Sequence, residues 1–321
     1  MKVLSIDGGG IRGVFPATIL QCIEQRVKEP IHKHFDLLAG TSTGAIIAAS
    51  LTLEKSMSNV VKMYEIHGKD IFHKQSFLAL FQTFYKNKRL KSALRDFFGE
   101  IRLGDISIPL VIPTVNISKG KTHVFRSGYF HESPEDHSIY LWEAVLSSCS
   151  APIFFPPIRA DHRFLAVDGG LWANNPSLLC LTEAMVQFGQ TISDIQMLSI
   201  GTGEQEICFP ARKAKGWGIQ SWLPLQFHPF KLTPKLLDLA LNLSSESISA
   251  QCQVLCGSKY VRINQELHQE IPFDDVTSVR KLIQMAEKVY QKQQKDILPF
   301  FESTPDEKNH GGGETKGYKE I

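Results

Sequence analysis

Apolar positions along this chain follow two spacings in turn, short unbroken runs and helical repeats, with glycines between them. Val3, Leu4 and Ile6 form a run stopped by Asp7-Gly8-Gly9-Gly10, which predicts a buried strand entering a tight loop. Pro16 then suits a helix start, Ile19, Leu20, Ile23 and Val27 recur at helical spacing, and Pro30 lies past the end, so residues 15–28 are predicted as an amphipathic helix. Phe35-Asp36-Leu37-Leu38-Ala39 predicts a second strand, Gly40-Thr41-Ser42-Thr43-Gly44 a sharp turn, and Ala45 to Leu53 another helix. The chain thus opens with strand, loop and helix, twice over.

Residues 57–100 read as mostly helical, with Phe72, Phe77, Phe81, Phe84 and Tyr85 followed by the basic run Lys86, Lys88, Arg89, Lys91 and Arg95. Strand pattern returns at 110–115, 123–126, 164–167, 196–200 and 259–263, and helical pattern at 140–149, 177–188, 234–250 and 276–296. This alternation predicts an α/β fold, a three-layer sandwich around a mixed, mainly parallel central sheet. No internal repeat stands out. From Ser303 onward the chain holds Gly311-Gly312-Gly313 among charged residues and has little to bury, so one folded domain is expected over 1–302 and a polar, disordered tail over 303–321.

Composition refines this only slightly. With 43% hydrophobic and 21% charged residues in 321, the chain can bury a large core without staples. A net charge of +2 is too mild for a nucleic-acid polymer as partner. Cys22, Cys149, Cys180, Cys208, Cys252 and Cys256 are scattered with no C-x2-C pair, so free thiols in a reducing compartment are expected, with no metal and no cofactor. No apolar stretch resembles a signal peptide, and none approaches the ~18 residues of a membrane span. A cytoplasmic location is the expectation.

Gly40-x-Ser42-x-Gly44 is the nucleophile-elbow pattern, in which small flanking residues let a serine stand clear of a sheet. A chain of this length shows that pattern by chance about one time in ten. Here it sits where a strand ends and a helix begins, the setting the motif requires; the competing reading is a glycine loop with Ser42 as a helix cap. A serine nucleophile needs a base and donors for the oxyanion. Gly8, Gly9 and Gly10 offer unhindered amides at a helix start. The same string, through Arg12 to Gly13, also satisfies G-x-G-x-x-G, but the second strand lacks the acidic residue that a dinucleotide ribose needs at its end. For the base, nothing around His228 or His268 is distinctive, and His310-Gly311-Gly312-Gly313 lies in the polar tail. Asp168-Gly169-Gly170 follows the strand at 164–167, so its carboxylate would emerge at a strand end, although such a triplet is also a plain turn.

Three blocks in this order, Gly8-Gly9-Gly10-Ile11-Arg12-Gly13, Gly40-Thr41-Ser42-Thr43-Gly44 and Asp168-Gly169-Gly170, resemble the patatin-like phospholipases. Residues 147–157, Ser147-Ser148-Cys149-Ser150-Ala151-Pro152 onward, and Asn174-Asn175-Pro176 extend the resemblance, which covers residues 1 to about 205. It implies a Ser42–Asp168 dyad with no histidine, Gly8 to Gly10 as the oxyanion hole, and Arg12 steadying the loop or a lipid phosphate. Gly13, Gly40, Gly44, Gly169 and Gly170 would be supporting positions. The implied activity is hydrolysis of ester bonds in membrane phospholipids; the alternatives are a non-catalytic scaffold or storage protein of the same fold and, behind it, a dinucleotide-dependent oxidoreductase.

Compact members of this kind resemble bacterial anti-phage effectors switched on by a cyclic nucleotide. That resemblance implies a cyclic dinucleotide activator and peripheral contact with the inner membrane in the active state. Two segments suit such contact. Residues 71–95 join aromatics to the basic run, or pack as a core helix with a solvated end. Residues 209–230, with Phe209, Trp217, Trp222, Phe227 and Phe230, read as a lid or docking flap, or as a surface buried against the domain or the partner of a homodimer.

Overall fold

A computed structural model of the chain describes residues 1–72, 83–130, 134–205, 207, 225–226, 231–232 and 235–302. The strands are β1 (Lys2–Ile6), β2 (Leu37–Gly40), β3 (Leu110–Asn116), β4 (Lys121–Arg126), β5 (Ile158–Ala160), β6 (Phe164–Asp168), β7 (Gln196–Ile200), the short pair β8 (Leu225–Gln226) and β9 (Lys231–Leu232), and β10 (Tyr260–Ile263). The helices are α1 (Val14–Val27), α2 (Thr43–Thr52), α3 (Met57–Ile71), α4 (Asn87–Phe98), α5 (Leu141–Ser148), α6 (Gly170–Ala173), α7 (Ser177–Phe188), α8 (Lys235–Cys256) and α9 (Val279–Ile297).

The main sheet runs β10-β7-β1-β2-β3-β6-β5, with β4 on the other edge of β3. Strands β10, β7, β1, β2 and β3 are parallel, and β4, β5 and β6 join in antiparallel pairs, so the sheet is mixed as the alternation predicts. Successive side chains on a strand face opposite sides, and the core divides accordingly. Leu4, Ile6, Leu38, Leu110 and Ile112 pack into one apolar cluster with α1 to α5 and α9. Val3, Leu37, Ala39 and Val111 belong to a second, with α7 and the C-terminal half of α8. That is the three-layer sandwich.

Most elements follow the sequence pattern within a few residues. β2 starts at Leu37 rather than Phe35, because Asp36 spends its carboxylate on the Lys2 N–H at 2.6 Å and Phe35 turns into a cluster with Phe300 and Phe301. α8 runs on to Cys256, past the 250 expected. β5 and α6, three and four residues long, are too short for periodicity to register. In the segment 71–95, Phe84 and Tyr85 are buried in the core, which favours the core-packing reading for them. Phe77 and Phe81, the flap at 209–230 apart from two strand residues, and the tail at 303–321 lie outside the described residues.

One feature of the topology places chemistry. β2 pairs with β3 only as far as Ala39 opposite Val111, and β6 takes up the same edge of β3 from the other direction, ending with Asp168 opposite Thr114. The ends of β2 and β6 therefore meet over Ile112 and Pro113, and Ser42 and Asp168 issue from that meeting point. Leu38 sits at the centre of this arrangement, fully buried and paired on both sides. Leu38→Ala is expected to cost about 2–5 kcal/mol, read as a lower urea midpoint with the slope of the unfolding curve unchanged.

Candidate active site

Ser42 occupies the turn between β2 and α2 with φ 53° and ψ −120°. For a residue with a side chain this backbone costs about 1–3 kcal/mol and persists only where the surroundings enforce it. They do so here by crowding. A methyl group on Gly40 would strike the Gly44 carbonyl, and one on Gly44 would strike the Ile6 carbonyl, so both positions of the pattern exclude a side chain. The Ser42 N–H donates to Ser148 Oγ at 2.9 Å, and Ser148 Oγ donates to the Pro113 carbonyl at 2.7 Å. Helix α2 behind the turn is buried at every residue, which anchors the elbow from below.

The hydroxyl this produces points at the end of β6. Ser42 Oγ donates to Asp168 Oδ2 at 2.7 Å, while Asp168 Oδ1 accepts the Gly170 N–H at 2.7 Å. Both residues are buried. A side chain on Gly169 would hit the Pro113 carbonyl, so the turn after Asp168 is fixed too. Burial pushes the Asp168 carboxyl up to about 7, against the opposing pull of the Gly170 and Ser42 hydrogen bonds. The pair is thus a serine hydroxyl held by a carboxyl group that titrates near neutrality.

The glycine loop lies alongside, with Gly8 in the space between Ser42 Cβ and Asn174. The Gly8 N–H is committed to the Asn174 carbonyl at 3.0 Å. The Gly8 carbonyl accepts from Thr202 Oγ1 at 2.9 Å and Asn174 Nδ2 at 3.4 Å, and the Gly9 carbonyl from Arg12 Nε at 3.3 Å and the Arg12 N–H at 3.2 Å. In a planar trans peptide the carbonyl of one residue and the N–H of the next point opposite ways. Turning these two carbonyls into the protein therefore turns the Gly9 and Gly10 amides away from those donors, and neither amide has a hydrogen-bond partner among the described residues. Arg12 is buried and serves the loop, while Gly13 gives Thr43 and Tyr64, which are hydrogen-bonded to each other, room to approach.

Comparisons with known proteins identify the family. The family model described as Patatin-like phospholipase matches residues 4–181. The chain belongs to the patatin-like phospholipase family. Patatin-like protein 1 of Arabidopsis thaliana is 30% identical to it, over 83% of this chain and 74% of the relative. A cGAMP-activated phospholipase of Vibrio cholerae is 32% identical over 67% and 68%, and one of Escherichia coli 34% identical over 67% and 66%. As a patatin-like phospholipase the protein is a lipid-hydrolysing serine esterase.

A cavity suited to that chemistry opens on Ser42, walled by Ile11, Ile46, Met63, Phe72, Leu90 and Phe155. It is a narrow slot of about 40 Å³. Cys149 lines the slot beside Ser42; burial and then the Asp168 charge push its thiol up, so it stands there protonated as a small apolar wall. The basic run is a surface feature in which Arg89 reaches Asp70, Arg95 binds Glu100 at 2.7 Å and Lys91 lies over the Trp142 ring. His268 is exposed against Glu266, and His228 and His310 lie outside the described residues. Among the described residues no helix is long and apolar enough to cross a membrane. Sequence reasoning passed over Ser148 and Thr202 as supports of the site. Ser148 lies in a quoted stretch, but nothing in its neighbours signals that its hydroxyl faces the elbow.

The raised carboxyl makes a thermodynamic prediction. Folding favours the protonated Asp168, so its contribution to stability is present below the usual carboxyl range near 4 and declines until pH passes about 7. The unfolding free energy of the wild type minus that of Asp168→Asn should fall as pH rises from 4 to 7 and then level, measured by urea titration.

Proposed function

We propose that the protein hydrolyses acyl ester bonds of membrane phospholipids through Ser42 and Asp168 with an acyl-enzyme intermediate. The observation that carries this is the 2.7 Å hydrogen bond from Ser42 Oγ to Asp168 Oδ2 at the end of an apolar slot. Ser42 Oγ attacks the ester carbonyl carbon, its proton passes to Asp168 Oδ2, and the carbonyl electrons move onto the oxygen. The free Gly9 and Gly10 amides receive that oxyanion; Gly8, whose own N–H is committed to Asn174, acts as the spacer between them and Ser42. Collapse breaks the bond to the alcohol, which leaves as a lysolipid and takes the proton from Asp168. Water then attacks the acyl-Ser42 ester, Asp168 accepts its proton, and the fatty acid departs as Ser42 recovers its hydrogen.

The names of the bacterial relatives support a further reading, that a cyclic dinucleotide such as cGAMP switches this enzyme on. Its place of work would then be the cytoplasmic face of the inner membrane, reached by peripheral contact.

Fatty-acid release from mixed phospholipid vesicles, with and without cGAMP, tests both statements. Ser42→Ala and Asp168→Asn are each expected to lower the rate at least about a thousandfold. With the wild type, kcat/KM should rise with pH along an acid limb centred near 7, since the ionised carboxylate is the form that accepts the proton. Full activity in Ser42→Ala would end the dyad reading. Equal rates with and without cGAMP, together with no heat of binding in calorimetry, would end the activation reading alone.

A further inference from the structure

The carboxylate at the head of the glycine loop has a partner far away in sequence. Asp7 follows β1 directly and is buried; Arg262, from the edge strand β10, donates Nη1 to Asp7 Oδ1 at 2.8 Å and Nη2 to Asp7 Oδ2 at 2.6 Å. The same Nη1 also reaches Ser199 Oγ on β7 at 2.8 Å, so the guanidinium passes across β7 to reach the end of β1. Burial opposes the charge on Arg262, but the Asp7 carboxylate more than offsets it and holds the guanidinium firmly protonated. A paired, bidentate contact of this kind fixes the direction of a carboxylate as well as its place.

That direction is passed on to the loop. Ser245 of α8 lies near the Asp7 carboxylate, and its Oγ accepts Asn174 Nδ2 at 2.8 Å. Asn174 in turn grips Gly8 from both sides, taking its N–H and donating to its carbonyl. The Gly8 carbonyl sets the plane of the peptide that carries the Gly9 N–H. Arg262 thus holds Asp7, which continues through the backbone into Gly8, while Ser245 and Asn174 hold Gly8 by hydrogen bonds from the other side. Arg262 lies beyond residues 4–181, the segment that the family model matches.

We propose that Arg262 is a positioning residue for ester hydrolysis: through Asp7, at the head of the glycine loop, it aims the Gly9 and Gly10 amides at the developing oxyanion. This rests on the reading of those amides as oxyanion donors. A donor out of line by even a fraction of an ångström loses transition-state stabilisation while leaving the lipid's binding contacts alone, so the effect belongs in kcat. The site also allows a direct test, because Arg262 borders a polar pocket of about 320 Å³ lined with Glu204, Asn242 and Asn264. A side chain removed there leaves a void that a small cation can enter from solvent.

The experiment uses the full chain and a soluble short-chain ester, so that membrane contact plays no part. Arg262→Ala is expected to lower kcat about thirtyfold with KM within about threefold of wild type. A trifluoromethyl ketone, whose adduct with Ser42 carries the same oxyanion, should lose affinity in proportion. Millimolar guanidinium should recover a large part of the lost rate, while ammonium at equal ionic strength should not. Because Arg262→Ala leaves a buried carboxylate alone, Asp7→Asn/Arg262→Gln removes both charges; its unfolding midpoint should return toward wild type while kcat stays low. Full kcat in that double variant, or in Arg262→Ala, would overturn the proposal, as would a fall in kcat with unchanged ketone affinity. Should Ser42→Ala retain activity or the wild type ignore the ketone, the underlying reading of the site fails and the proposal falls with it.

Discussion

A serine hydroxyl and a carboxylate can meet at 2.7 Å without an intervening ring only if the two chain segments that carry them end at the same place. In this fold that constraint is met by β3. One edge of β3 is shared by β2, arriving parallel, and β6, arriving antiparallel, and they stop two residues short of each other. Proline is tolerated at position 113 because no strand pairs with this edge there, and its carbonyl is free to receive Ser148. Ser148 then holds the N–H of Ser42, so the gap in the ladder is what fixes the nucleophile. An uninterrupted parallel sheet would have no such gap, which gives the antiparallel end of the sheet a chemical reason for its presence.

The glycine loop obeys a second constraint, that backbone groups taken away from water find partners. The loop satisfies this for its carbonyls and for the Gly8 N–H but leaves the Gly9 and Gly10 amides unmatched. Two unmatched donors in a buried loop are a cost to the folded state and, in the proposed reaction, a preorganised site for a negative oxygen. The polar side chains that create the mismatch do not come from the loop. Thr202 follows β7, Asn174 follows α6 and Ser245 lies on α8, so three separate elements hold the orientation of the loop. A network of buried serines, Ser5, Ser177 and Ser199, ties the same region together beneath the sheet.

This explains what could be read in the sequence. The elbow, the glycine loop and the order of strands and helices are local matters of spacing, and they were legible from residues 1–205. Gly40 and Gly44 announce a crowded turn because no other residue fits it. Asp168 was harder, since a triplet of Asp-Gly-Gly reads equally well as a turn, and only the antiparallel arrival of β6 brings it to Ser42. Arg262 and Thr202 were illegible, because their partners are about 200 residues or more away and nothing in their own neighbours marks them. The aromatic and basic stretch at 71–95 misleads in the opposite sense. Its Phe84 and Tyr85 look available for a membrane in sequence, yet both are core residues in the fold.

The proposed dyad draws on the same burial. Among the described residues no histidine is hydrogen-bonded to Ser42 or Asp168, and in the proposed reaction the carboxylate acts as the base alone. An exposed aspartate, with its ordinary value near 4, would be a weak base for a serine hydroxyl. Enclosed beneath the elbow, Asp168 titrates at about 7, close to where an imidazole would. Desolvation raises the basicity of this carboxyl group by denying it water, with a single amide, that of Gly170, holding its second oxygen. Were more donors aimed at Asp168, its value would drop and the pair would lose the basicity that the reaction needs. In the proposed reaction the sparse hydrogen bonding of Asp168 is therefore part of the chemistry, in the same way that the unmatched Gly9 and Gly10 amides are.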